Sequence, residues 1–490
     1  MRTLNLSDIL RIVLLLSCVA MPIAMPAQAT FSVLVNFSGK DGDGAIPYAG
    51  LVQGTDGNFY GTTGYGGAVS PTCRYGCGTV FKITPAGQLT TLHSFDRTDG
   101  GLGPNAPLVQ ATNGDFYGTT STGGANGGGT FFKITREGDL TTIYNFEKNG
   151  GTSVGLVQGT DGNFYGTTLQ GGAVIPQTCP YGCGTVFKIT PRGKLSILHR
   201  FDFMDGDGPH AGLVQGTDGN FYGTTVYGGT NNDGTVFKIT PEGTLTTLHS
   251  FDGTNGFEPN APLVQARSGR FYGTTLGGGA NHLCSYYDGC GTVFEMTPAG
   301  KLTTIYSFAG TGLYDYNVLS YFAVAGLVQA TDGSFYGTTY DGGNGFGTVF
   351  EITAQGTLTT LYSFGSNDDA YPLDGLVQGT DGSFYGTTWV GGGFNGLCEY
   401  GCGTVFSISV GLRPFVKTNP TSGKVGTRVT ILGNNLAGAT SVIFNGTMAR
   451  FKASDTYIST RVPAGTTTGT VEVTTPGGTL KSNVPFRVTK

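Results

Sequence analysis

Charge is scarce in this chain. Lys, Arg, Asp and Glu make up 12% of its residues, about half the usual share, and Lys or Arg never forms a block. A nucleic-acid binder neutralises phosphates with a basic stripe; this chain, with a formal net charge of −5, offers none. Lys/Glu-rich helical segments are missing too. Beyond the N-terminus no stretch is long and apolar enough to span a bilayer. His occurs only five times, which leaves few imidazoles for acid–base chemistry. No GxSxG, HExxH or phosphate-binding loop stands in a supporting context.

Glycine is abundant instead, with 86 of 490 residues against a usual share of about 7%. Glycine, threonine and aromatic residues with few charges describe many short strands joined by tight turns. A chain of this length exceeds one ordinary core, so several domains or a repeat array is expected.

The array is explicit. The phrase "GLVQGTDGNFYGTT" at 50–63 returns with small changes, placing an equivalent Tyr at Tyr60, Tyr117, Tyr165, Tyr222, Tyr272, Tyr336 and Tyr385. Each unit has four phrases in fixed order, "GLVQ", "NFYGTT", "GTVFKIT" and "LTTLHSF", and each reads as a strand of β-branched and aromatic residues bounded by turn formers. Asp-Gly joins the first two and Pro-x-Gly the last two, so both connections are tight hairpins. Repeats near this length with four strands are blades of a β-propeller. "LTTLHSF" follows only six of the seven units, and its missing copy opens the mature chain as "FSVLVNF" at 31–37. A ring uses that exchange to close; a solenoid has no use for it. The expected fold is therefore all-β: a seven-bladed propeller whose N-terminal strand completes blade 7. Phe59 and Tyr60 should serve opposite neighbours, because strand side chains alternate. The Gln of "LVQ" reads as structural, with a polar channel lining as the alternative.

The N-terminal "MRTLNLSDILRIVLLLSCVAMPIAMPAQAT" reads as a signal peptide cleaved after Ala29. Lipoprotein anchoring through Cys18 is the alternative. Eight Cys follow, in four local pairs: Cys73/Cys77, Cys179/Cys183, Cys284/Cys290 and Cys398/Cys402. An even count in an exported chain favours disulfides, each contributing roughly 2 kcal/mol by the loop-entropy formula. A four-Cys zinc site needs two pairs to meet, and these fall in blades 1, 3, 5 and 7.

Every pair lies between the second and third strands of its blade. Those connections share one face of a propeller with the links between blades, and the hairpins occupy the other. All length variation thus collects on one face, where function usually resides. Tyr75, Tyr181, Tyr286 and Tyr400 at the tips of the Cys loops, with Trp389 entering the loop of blade 7, are the candidate ligand-binding rings; covering their own disulfides is the bland alternative. His93, His199 and His249 share one repeat position and read as structural. His210 and His282 are in unique loops on the variable face. No cofactor is expected; "KDGDGA" (Asp41, Asp43) and "FMDGDG" (Asp205, Asp207) hint at calcium without its full ligand spacing.

The repeat unit resembles the GloVer tandem repeat of bacterial exported proteins over roughly residues 31–410. The resemblance implies export and a repeat scaffold, with no catalytic motif to carry over; members often carry a C-terminal anchor, and this chain ends "VPFRVTK" without an apolar tail. Residues 411–490, with "NPTSGKVGTRVTILGNNL" and "VPAGTTTGTVEVTTPGG", are similar to IPT/TIG immunoglobulin-like domains, which implies a small β-sandwich acting as spacer or adhesion module. The expected divisions are a signal peptide at 1–29, the propeller at 30–410 and the IPT/TIG domain at 411–490. The first functional expectation is an exported, non-catalytic binding or adhesion protein, secreted or at the cell surface, with a glycan or protein as partner. Propeller lyases carry a similar "DGN-aromatic" phrase, so the alternative is a carbohydrate-active or lyase-type enzyme with its site at the channel mouth. The sequence does not fix the oligomeric state.

Overall fold

The computed structural model describes residues 29–40, 42–69, 71, 73–96, 101–148, 155–280, 289–309, 325–365, 369–392, 398 and 401–489. Residues 1–28 of the expected signal peptide, Cys18 among them, lie outside the described residues. Among those described there is no helix. Seven four-stranded antiparallel sheets form the blades. Blade 1 runs from its inner strand Val52–Gln53 through Phe59–Thr63 and Thr79–Ile83 to the outer strand Leu89–Ser94, and the next five repeat it.

Blade 7 closes the ring as expected. Its inner three strands are Val377–Gln378, Phe384–Thr388 and Thr404–Ser409, and its outer strand is Thr30–Asn36, running from Thr30 opposite Ser409 to Asn36 opposite Thr404.

Alternation along the second strand builds the core. Tyr60 stacks on Phe116 with centroids 4.0 Å apart, and the same contact recurs at Tyr117–Phe164, Tyr165–Phe221, Tyr222–Phe271, Tyr272–Phe335 and Tyr336–Phe384. It returns to the start as Tyr385–Phe59 at 3.9 Å. Each blade hands a tyrosine to one neighbour and a phenylalanine to the other. In blades 1, 3, 4, 6 and 7 the tyrosine hydroxyl donates to the hairpin acid of its own blade, as Tyr60 does to Asp56, Tyr165 to Asp161 and Tyr222 to Asp218; in blade 2, where Asn113 stands in that place, the Tyr117 hydroxyl accepts from the Asn113 amide, and blade 5, with Ser268 in the turn, uses Glu295. The Gly after each tyrosine is required: a Cβ on Gly61 would stand 2.5 Å from the Phe81 ring.

The glutamines form a second ring. Gln110 Oε1 accepts the backbone N–H of Thr55 in the preceding blade's hairpin, and Gln158, Gln215, Gln265 and Gln329 repeat this on Thr112, Thr160, Thr217 and Arg267. Gln53 does so across the seam to Thr380 at 3.0 Å, and Gln378 donates to Thr331. These amides clamp blade to blade.

The C-terminal residues form an immunoglobulin-like sandwich. One sheet contains Lys417–Asn419, Arg428–Leu432, Tyr457–Arg461 and Phe451–Ala453; the other contains Thr447–Met448, Ser441–Phe444, Val471–Thr475 and Gly478–Lys481. Val429, Ile431, Val442, Ile458, Val471 and Val473 fill the space between them.

This sandwich sits on the hairpin face of the propeller. Thr456 reaches the Thr55 carbonyl in blade 1, Asn419 the Gln110 carbonyl in blade 2 and Arg487 the Thr217 carbonyl in blade 4. Arg267 of blade 5 donates to the Asn483 carbonyl. In blade 7 Thr380 donates to Asn434, and Lys417 to the Gln378 carbonyl. One domain thus spans hairpins around the ring.

Candidate functional site

With the hairpin face occupied by the sandwich, the opposite face is formed by the longer loops. There, in five blades, the incoming link pairs with the start of its own blade's loop: Gly44–Ala45 with Tyr65–Gly66, Asp369–Ala370 with Val390–Gly391, and single bridges at Leu102–Thr122, Asp207–Tyr227 and Phe257–Gly277. Backbone turns with positive φ are needed just after this pairing. Gly103 and Gly208 supply them without strain, whereas Ile46, Glu258 and Tyr371 adopt φ of 58°, 52° and 59° as non-glycine residues, which is costly for a β-branched or bulky side chain.

Disulfides join Cys73 to Cys77, Cys179 to Cys183 and Cys398 to Cys402. Cys290 is also disulfide-bonded; Cys284, its expected partner, lies outside the described residues, as do Tyr286, Tyr400, His282 and Asp41. The sulfurs are packed inward. Cys73 and Cys77 lie against Phe95 and Leu102, and Cys179 and Cys183 against Phe201 and Phe221.

Tyr75 and Tyr181 are each 65% exposed, so neither ring is consumed in covering its disulfide. Trp389 stands where the chain enters the loop of blade 7. It is half-buried, with its indole 6.5 Å from Tyr371, which in turn stacks on Tyr340 at 4.5 Å. The Tyr48 hydroxyl faces the same indole, and burial, then the neighbouring Tyr65, pushes that phenol up. Tyr340, Tyr371, Trp389 and Tyr48 make an aromatic arc from blade 6 to blade 1.

Two cavities open on this face. One, of about 340 Å³, lies where blade 7 meets blade 1 and is lined by Ala45, Ile46, Tyr48, Tyr65, Tyr75 and Cys398. The other, of about 230 Å³, lies where blade 3 meets blade 4 and is lined by Gln170, Cys179, Tyr181, Asp207, His210 and Tyr227. They are the same place in the repeat: Tyr65 corresponds to Tyr227, Tyr48 to His210, Ala45 to Asp207 and Cys398 to Cys179. Their chemistry differs. The first is apolar and aromatic. In the second, burial pushes the Asp207 carboxyl up to about 6 and the His210 imidazole down to about 4.

The remaining expectations fall elsewhere. His199 donates or accepts at Asp205, 2.7 Å away, and Asp43 accepts from the Ser38 amide and hydroxyl, so these loop acids serve local turns. Tyr48, Tyr65 and Tyr227 were not singled out from the sequence. Tyr65 and Tyr227 share a signal, a Tyr before Gly-Gly in "TTGYGG" and "TTVYGG"; Tyr48, in "IPYAG", lacks it.

The chain matches the Gloeobacter/Verrucomicrobia repeat over residues 23–176, 174–398 and 285–450, and the IPT/TIG domain over 415–488. No curated protein matches it. Among solved structures it is similar to a catalytically inactive virginiamycin B lyase from Staphylococcus aureus with quinupristin, at 12% identity and a TM-score of 0.50, over 78% of this chain and 99% of that one. It is also similar to a fungal alcohol oxidase in complex with copper, at 13% identity and a TM-score of 0.53, over 95% and 100% of the two chains. At such identity the likeness shows the fold alone.

Proposed function

The chain belongs to the Gloeobacter/Verrucomicrobia repeat family, and from that premise we propose that it is an exported, non-catalytic binding or adhesion protein whose loop face holds an extracellular glycan. The observation that carries this reading is the division of labour between faces. The IPT/TIG sandwich covers hairpins of blades 1, 2, 4, 5 and 7, which leaves the loop face free. That face presents exposed tyrosines beside clefts braced by disulfides. Tyrosine rings suit sugar faces because one edge is apolar and the hydroxyl can bond outward at low entropic cost. In this reading residues 1–29 direct export, 30–410 form the binding propeller, and 411–490 act as a spacer or adhesion module; calcium has no assigned role.

A glycan-array screen of the secreted protein tests it. Binding that falls with Tyr65→Ala, Tyr75→Ala, Tyr181→Ala and Tyr227→Ala supports the assignment. A screen that returns no glycan, while pull-down on purified surface proteins returns a partner sensitive to the same substitutions, moves the ligand class to protein.

One observation favours a second reading, a lyase-type or carbohydrate-active enzyme: Asp207 and His210, an acid and a base with displaced pKa values, line one cleft. Such pairs concentrate at catalytic sites. Turnover of a bound glycan, lost in His210→Ala with binding retained, would establish it.

A further inference from the structure

At the three described cysteine pairs, the link entering the next blade places one side chain against the disulfide. At Cys73–Cys77 it is Leu102, and at Cys398–Cys402 it is Ala45, both within the same apolar clusters as the sulfurs. At Cys179–Cys183 the equivalent position is Asp207. Two blades thus cover the sulfurs with hydrocarbon, as packing demands, and the third sets a carboxylate there.

That carboxylate is poorly accommodated as it stands. It is half-buried, and no Lys or Arg among the described residues forms an ion pair with it. The Gly208 backbone N–H beside it donates to the Cys183 carbonyl instead. An uncompensated carboxylate at this depth costs free energy that a cation would recover. The ligand atoms of Cys179, Cys183 and Asp207 all lie within 4.8 Å of one another, and no other group of three or more His, Cys, Asp or Glu donors among the described residues is so close. His210 lines the same cavity, and imidazole is a common metal ligand.

We propose that the cleft between blades 3 and 4 is a redox-conditional zinc site, held by Cys179, Cys183 and Asp207, with its fourth position open to the cavity that His210 lines. Two thiolates, a carboxylate and an imidazole or water make an ordinary tetrahedral zinc set. With the disulfide intact the site lacks its two sulfur donors. A dithiol reductant supplies two electrons and two protons: the Cys179–Cys183 bond breaks, two thiols form and the reductant is left as its own disulfide. Zinc then replaces the two thiol protons, which leave to solvent, and Asp207 closes a third bond. The proposal does not depend on what the tyrosines of this face bind.

The experiment uses the full mature chain, reduced with a dithiol in the presence of Zn²⁺ under anaerobic conditions and then freed of reductant and loose metal. Expected results are about one zinc retained per chain by the reduced protein and none by the oxidised protein. Co²⁺ in place of zinc should show a thiolate charge-transfer band. Cys179→Ser/Cys183→Ser should lose both signals, and Cys73→Ser/Cys77→Ser should keep them. Asp207→Asn should weaken zinc binding by about tenfold or more. Equal zinc in the oxidised protein or in Cys179→Ser/Cys183→Ser overturns the site, as does an unchanged affinity in Asp207→Asn. Absence of retained zinc, or loss of the β-sheet circular dichroism signal on reduction in its presence, overturns it as well.

Discussion

Replacing Phe37 by Ala should open the propeller at its seam. Phe37 is 1% exposed, sits 5.2 Å from the Phe81 ring in an edge-to-face contact, and donates its backbone N–H to the Gly403 carbonyl. Removing a buried phenylalanine costs about 3–5 kcal/mol in lost transfer energy and cavity. Phe201, fully buried at the equivalent place in blade 3, should cost the same. The consequences differ because the strand before Phe201, Leu195–Arg200, is tied to its neighbour by a hairpin, whereas Thr30–Asn36 joins blade 7 only through its pairing and packing. Loss of Phe37 should therefore appear as local opening of that pairing. At about 1.4 kcal/mol per factor of ten, the amides of Thr404–Ser409 that bond to Thr30–Asn36 should exchange with deuterium about a hundredfold faster or more. In Phe201→Ala those amides should keep their wild-type protection, although urea denaturation shows similar destabilisation. Equal protection of Thr404–Ser409 in the two variants would refute the seam argument.

Gln53→Ala strips the seam clamp from the Thr380 N–H, a buried donor, and should cost about 1–3 kcal/mol by chemical denaturation; near-neutrality would show that water replaces the amide. Asp207, with its carboxyl pushed up to about 6, binds its proton more tightly folded than unfolded, so its contribution to stability is present at low pH and lost as pH rises through about 6. Asp207→Asn should therefore gain on wild type between thermal melts at pH 4.5 and pH 7.5, and a constant difference would contradict the assignment. Asp161 and Asp218 face burial that would raise them, but bonds from Asn163 and Tyr165, and from Asn220 and Tyr222, hold them below the usual carboxylate range. Their contribution is present above the unfolded value and lost as pH falls through the folded one, so Asp161→Asn and Asp218→Asn should flatten the acid limb of the stability profile; parallel limbs would refute it. Alkylation of the denatured, unreduced protein should label none of the eight Cys that follow residue 29, with all eight labelled after reduction; four or more free thiols among them would contradict the disulfides.

What the sequence by itself determined is whatever repeats. The alternation of Phe59 and Tyr60, the Asp-Gly and Pro-Gly turns and the exchange of "FSVLVNF" for a missing seventh copy dictate four-stranded blades, their number, the closing strand and the separation of hairpins from loops. Strand periodicity and turn chemistry are local, so one unit states them and the others confirm them. The glutamine clamp was in plain view in every "LVQ", yet its partner belongs to the neighbouring blade, and no spacing within a unit reveals it. Tertiary structure alone decided what meets at the junctions. It set Asp207 against Cys179 and Cys183 where Leu102 and Ala45 stand at the equivalent positions, drew Trp389 into packing with Tyr371, and placed Tyr48, Tyr65 and Tyr75 around one cavity. It also seated the IPT/TIG sandwich across five blades' hairpins through single contacts such as Thr456 to Thr55. These contacts join residues from different blades or domains, or an incoming link to its own blade's loop, and their distances are set by how the closed ring twists and packs, which alternation along a strand does not encode.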